Sequence, residues 1–136
     1  MSIQGMTATP TDIALTGMKA EASRLRCIAT NIANAQNTRT TAGGAFRRHE
    51  VLLSSSNDVL GGVMVDGVAE DSATPMQSKW APWHPHADAR GFVQYPNVQV
   101  AQEMMDMIVA SRAYQANAAV LKRQGDINNT ALELLR

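Results

Sequence analysis

The sequence contains a single cysteine, Cys27, among its 136 residues. An internal disulfide framework is therefore excluded, and the redox compartment is left open. No apolar run approaches the roughly 18 residues that cross a bilayer, which predicts a soluble chain with no direct membrane span. Charge of one sign is missing too: 12 Lys and Arg balance 12 Asp and Glu, and the basic residues are spread along the chain. Without a cationic face for phosphates, nucleic acid is not expected as a partner. The opening "MSIQGMTATPTDIALTGMKAEASRLR" lacks the basic head and continuous apolar core of a cleavable signal peptide. Any passage out of the cytoplasm is expected to use another export route.

Catalytic signatures are equally sparse. Ser54 to Ser56 lack the Gly-x-Ser-x-Gly elbow of a serine nucleophile, and neither Gly43-Gly44 nor Gly61-Gly62 is followed by the Gly-Lys-Ser/Thr of a phosphate loop. These glycines read as turns. His84, His86 and Asp88 fall within five residues and have the donor types of a metal site. Pro85 separates the two histidines in an extended turn, however, and spacing fixes no third strong ligand. The reading adopted is no catalytic residue, no metal, no cofactor and no small-molecule substrate. A small metal-dependent enzyme built on His84, His86 and Asp88 is the alternative.

What the sequence does contain is helical periodicity at both ends. Leu15, Met18, Ala22, Leu25, Ala29 and Ile32 recur at three and four, a narrow seam on one helical face. Thr11 or Asp12 is the expected cap, following Pro10. From Asn97 onward the period returns in two adjacent stripes. One contains Val100, Met104, Met107, Ser111, Tyr114, Ala118 and Leu121, and continues to Leu132 and Leu135; the other contains Ala113, Asn117, Val120, Gln124 and Ile127. Two stripes let this helix face more than one neighbour. Between the helices, "FRRHEVLL", "GGVMVDGVAED" and "DARGFVQYPN" show the short alternating runs of strands. The five prolines, at 10, 75, 82, 85 and 96, all avoid the interiors of the two periodic segments.

The expected fold is α+β, mainly α. A flexible lead over 1–10 precedes an N-terminal helix at 11–38, a small β-rich unit at 39–96 and a C-terminal helix at 97–136. That last helix would extend roughly 50 to 60 Å, so the architecture should be elongated, with the two helices pairing in a coiled-coil-like bundle. Asn31, Asn34 and Asn37 step by three, a slowly rotating row beside the apolar seam that selects one register. Trp80 and Trp83 read either as a partner anchor or as packing for the β unit.

Two stretches at opposite ends carry a resemblance. "RLRCIATNIANAQNT" (24–38) resembles the N-terminal signature of bacterial flagellar rod and hook proteins, and "MIVASRAYQAN" (107–117) resembles their C-terminal one. "HPHADARGFVQYPNVQVAQEMMDMIVASRAYQANAAVL" (84–121) is most similar to the proximal rod group, although "WAPW" at 80–83 replaces that group's Tyr-Asp-Pro-Gly. The resemblance implies a non-enzymatic structural protein of the basal body, exported by the flagellar type III apparatus without signal cleavage and built into the periplasmic rod; a further alternative is another axial subunit of the rod or hook. Its partners would be copies of itself and other rod proteins, and its terminal helices would become ordered against those neighbours. On that basis Leu15, Met18, Leu25, Ile28 and Ile32 are expected to pack with Met104, Ile108, Tyr114, Leu121 and Ile127 in the assembly interface. Asn31, Asn34, Asn117 and Gln115 would fix alignment, and Arg112 would bond carbonyls or a carboxylate such as Glu103 or Asp106.

Overall fold

A computed structural model describes residues 9–56 and 61–134. Most of the lead expected over 1–10 therefore lies outside the described residues, as do Leu135 and Arg136.

Helix α1 spans Pro10–Ala33. Its cap is Thr9 rather than Thr11 or Asp12. Thr9 Oγ1 accepts the Asp12 backbone N–H at 3.2 Å, and the Asp12 carboxylate accepts the Thr9 N–H at 3.3 Å and hydroxyl at 2.6 Å. Pro10 fits at the first helical position because no N–H is needed there. The helix also stops earlier than the Thr38 expected from periodicity. Asn34 ends it by donating its carboxamide to the Thr30 carbonyl at 2.9 Å, and Asn37 donates to Asn34 Oδ1 at 3.1 Å. Short amide side chains compete for the last carbonyls and turn the chain.

Strands β1 (His49–Ser55) and β2 (Val63–Glu70) form one antiparallel hairpin. The register shifts between Leu52 and Leu53, which leaves Asp66 as the extra residue of a bulge; Gly67 beside it takes φ +147. A second hairpin pairs β3 (Gln77–Trp80) with β4 (Phe92–Tyr95). β3 is not anticipated by the sequence pattern, since "QSKW" has no apolar alternation. Helix α2 follows as Val100–Leu134.

α1 packs on α2 and on both strands of the first hairpin, whereas the second hairpin approaches neither helix. The helix pair is antiparallel, and two contacts fix its register. Gly17 faces Asn117, and Asn31 bonds Glu103. Asn31 lies fourteen residues after Gly17 and Glu103 fourteen before Asn117, so the pairing stays in step over about four turns. α2 is the longer helix, about 52 Å against about 36 Å. Extending the same register, roughly ten residues of α2 run past Pro10, the first residue of α1.

The seam inside this pair differs from the expected one. The buried residues of α1 are Ala14, Ala20, Cys27, Ile28 and Asn31, and those of α2 are Glu103 and Ala110. Small side chains and Gly17 let the backbones come close, which rotates the larger Leu15 and Met18 partly or wholly out of the contact. Asn31 lies in the seam rather than beside it.

A Cβ on Gly17 would sit 2.8 Å from Asn117 Nδ2, while one on Gly125 would meet nothing within 4 Å. Gly17→Leu is expected to force the helices apart and lower the thermal midpoint. Gly125→Ala should stabilise by about 0.5 to 1 kcal/mol through helix propensity. Denaturant unfolding of both variants checks the pair of outcomes.

Candidate assembly interface

The most deeply buried polar side chains are Asn31 and Glu103, each 1% exposed, and Asn97 at 4%. Asn31 behaves like an added strand residue at the edge of β1. Its Nδ2 donates to the His49 carbonyl at 2.9 Å and its Oδ1 accepts the His49 N–H at 2.8 Å. The same Nδ2 donates to Glu103 Oε2 at 3.1 Å, joining α1, β1 and α2 through one carboxamide. The other carboxylate oxygen of Glu103 accepts from Arg48 Nε at 2.5 Å. Arg48 also donates to Glu50 and lies 3.9 Å from the Asp71 carboxylate.

Asn97 completes this latch from the entrance to α2. Its Oδ1 accepts the Arg48 N–H at 2.7 Å, and its Nδ2 donates to the carbonyls of Asp71 at 3.0 Å and Thr74 at 3.1 Å. Because Asp71 N–H donates to the Arg48 carbonyl at 2.7 Å, the carboxamide extends the β1–β2 ladder one step past its end. Burial alone would lower the Arg48 pKa, but its hydrogen bonds to Glu103 and Glu50 raise it, so the guanidinium stays charged. Burial, then the Glu103 charge, pushes the Cys27 thiol upward, away from the reactive thiolate.

Within the chain Arg112 bonds neither of the carboxylates considered for it. It is exposed, Glu103 is occupied by Arg48 and Asn31, and Asp106 Oδ1 accepts from Gln102 at 3.3 Å. A buried carboxylate needs a donor that is itself held in place, and Arg48, just before β1, meets that need while the outward-facing Arg112 does not. Periodicity assigns no role to Arg48 or Asn97, because their partners are distant in sequence. The available signal is that Asn97 and Glu103 fall within the stretch resembling the rod signature.

The remaining expected residues divide by side of the helix pair. Ile28 and Asn31 are buried; Met18, Leu25, Ile32, Asn34, Asn117 and Leu121 are half-buried. Leu15, Met104, Ile108, Arg112, Tyr114, Gln115 and Ile127 are exposed. Over its first three turns α2 displays Val100, Met104, Met105, Ile108 and Val109, all exposed, while Glu103 and Ala110 face inward. Trp80 and Trp83 form an exposed edge-to-face pair with centroids 5.6 Å apart.

At the histidine cluster, the Asp88 carboxylate accepts the N–H groups of Phe92 at 2.8 Å and Arg90 at 2.9 Å. His84 Nδ1 accepts the His86 N–H at 3.1 Å. Among the described residues no group of three or more His, Cys, Asp or Glu is placed to hold a metal ion. These contacts organise a turn.

Truncating Glu103 leaves Arg48 and Asn31 without their common acceptor. Glu103→Ala is expected to cost about 3 kcal/mol, the range for breaking a buried pair, and Asn31→Ala about 2 kcal/mol. Chemical denaturation measures both. The Thr74 N–H and hydroxyl hold the Asp71 carboxyl below its ordinary pKa, and the Phe92 N–H does the same for Asp88. Each lowered value stabilises the folded form above the ordinary carboxylate pKa, and that contribution is lost as pH falls through the folded value. Stability should therefore decline below about pH 4, less steeply in Asp71→Asn and Asp88→Asn, as read by thermal melts across pH.

A family profile described as the flagellar basal body rod FlgEFG protein C-terminal region matches residues 89–134. The chain is 33% identical to the flagellar basal-body rod protein FlgC of Borreliella burgdorferi, over 92% of this chain and 95% of that protein. It is 39% identical to FlgC of Salmonella typhimurium, over 81% and 84%, and 36% identical to FlgC of Agrobacterium fabrum, over 91% of each. Identity at this level over most of both lengths, on a chain whose long helices are latched at the very motifs that carry the resemblance, shows that it belongs to the FlgC family of flagellar basal-body rod proteins.

Proposed function

We propose that the chain is a structural subunit of the proximal flagellar rod, joined to its neighbours through the outward faces of α1 and α2 in a hollow helical drive shaft. One observation carries this reading: apart from Ile28, the apolar residues fully buried on the described helices are small, while several large apolar ones stand outward. Ala14, Gly17, Ala20 and Ala110 make the internal contact, whereas Leu15, Met104, Met105, Ile108 and Val109 stand in solvent. An exposed apolar strip such as the one on α2 marks an interaction surface rather than a finished exterior. Heterologous contacts along such a strip, repeated without closing, generate a tube.

The partners implied are other rod proteins and further copies of this chain. Gln115 and Arg112 lie exposed on α2, where they would set alignment between subunits rather than within one. Asn34 and Asn117, half-buried, would fix the register locally. Delivery by the type III export apparatus to a periplasmic rod, without signal cleavage, fits a chain whose helices complete their burial only against neighbours.

Met104→Asp combined with Ile108→Asp tests the reading. Both side chains are more than half exposed, so stability of the isolated chain should change by less than about 0.5 kcal/mol per site. Swimming and recovery of intact basal bodies should be lost. Normal motility from the double variant would show that this face is not an interface.

A further inference from the structure

Sulfur is distributed unevenly over this molecule. Cys27, the lone thiol, is buried, and a buried neutral thiol is a poor nucleophile toward an oxidant. Among the described methionines, Met18, Met76 and Met107 are half-buried, whereas Met64, Met104 and Met105 are exposed. Met104 and Met105 are consecutive, and each is 57% open to solvent. Thioether oxidation follows access, so these two sulfurs and that of Met64 are the ones an oxidant meets first.

Their place on α2 matters as much as their exposure. Residues four apart lie one above the other on a helix, so Val100, Met104 and Ile108 form one row and Ala101, Met105 and Val109 the next. All six are exposed, and none has a side-chain hydrogen-bond donor. Each exposed thioether is therefore the centre of an apolar row. The polar side chains of the same turns bond elsewhere: Gln102 Nε2 donates to Asp106 Oδ1 at 3.3 Å, and Glu103 is turned inward to Asn31 and Arg48.

We propose that Met104 and Met105 form a reversible oxidation site, with peroxide as the oxidant, that turns off docking through this face of α2. A lone pair of the thioether sulfur attacks one peroxide oxygen; the S–O bond forms as the O–O bond breaks, and the second oxygen leaves as water after proton transfer. Sulfur gives up two electrons and peroxide takes them. The product is methionine sulfoxide, which methionine sulfoxide reductase returns to the thioether. In the free chain the new S=O acceptor sits in water, and the buried network around Glu103 is untouched. Covered by a neighbouring subunit, it would lie between rows that offer it no donor, and a buried polar group without a partner is costly. The same two oxygen atoms are silent in the isolated chain and disruptive at the contact. The inference rests on the rod reading and adds to it a chemical control of the outer face.

Dilute hydrogen peroxide on the purified full chain, followed by peptide mass spectrometry, should oxidise Met104 and Met105 at least about threefold faster than Met18, Met76 and Met107. The denaturation midpoint should not move at that stage. In cells whose only copy is the variant, Met104→Gln with Met105→Gln, a neutral polar stand-in for the sulfoxide, should abolish swimming and recovery of intact basal bodies. Met104→Leu with Met105→Leu, apolar but without sulfur, should assemble normally, as should Met64→Gln, which changes an exposed methionine on β2. Oxidation at 104 and 105 no faster than at the half-buried sulfurs overturns the inference, as does a lowered midpoint or normal assembly of the glutamine pair. If the glutamine pair assembles while Met104→Asp with Ile108→Asp does not, the oxidation site is wrong and the face remains an interface. If both assemble, the reading of this face as a rod contact fails as well.

Discussion

A carboxylate buried beneath two helices and a strand has to find its hydrogen-bond donors in a medium where water cannot supply them, and Glu103 imposes that demand on this molecule. Its two oxygens are met by Arg48, the residue before β1, and by Asn31 from α1. Meeting them leaves few alternatives for the rest of the chain. Asn31 can reach Glu103 only if α1 and α2 are in one register, and its other contacts fix where β1 begins. Arg48 can reach it only if the chain entering β1 passes close to the start of α2, and Asn97 ties that segment to the entrance of the same helix. Such a network contributes more to uniqueness of structure than to net stability, because desolvation offsets much of the attraction. Slipping either helix by a turn would leave a charge and two carboxamides unpaired at once.

The latch explains how a pair of helices with so little apolar burial holds its alignment. Alanine and glycine at the contact give close approach but modest hydrophobic gain, on the order of 25 cal/mol per Å² of a small area. Large side chains are left for the outside. A chain arranged this way is specified internally by polar geometry, and its exposed apolar residues suit the proposed contacts with neighbouring subunits. Methionines at 104 and 105 belong to that outer strip, where their flexible thioethers stand exposed.

The two hairpins play unequal parts. The first is held by α1 at both ends, through Thr16 on β2 and Asn31 on β1, and so belongs to the rigid frame. The second is organised by its own turn, where Asp88 collects backbone N–H groups and the Thr38 hydroxyl meets His86 Nδ1 at 2.8 Å. It displays Trp80, Trp83 and Phe92 to solvent. The tryptophans do not serve as packing for a β core, because both stand in solvent while Val93 of the same hairpin is buried.

Helix at both ends, a β-rich middle and membership of the rod family could all be read from the order of residues, since period and motif are local properties that survive in one dimension. The hairpin strands around Val51, Val65 and Val93 were legible for the same reason, and β3 was not, because its residues carry no alternation. Which side of each helix turns inward was decided only in three dimensions. A seam counted from large apolar residues points to Leu15 and Met18, yet the contact is made by Ala14, Gly17 and Ala20, where backbones can approach most closely. Likewise, sequence suggested that asparagines set the alignment, but the partners of Asn31 lie 18 and 72 positions away, and only folding brings His49 and Glu103 to the same carboxamide. Hydrogen-bond satisfaction of a buried group is a property of the whole packed arrangement, and no local pattern encodes it.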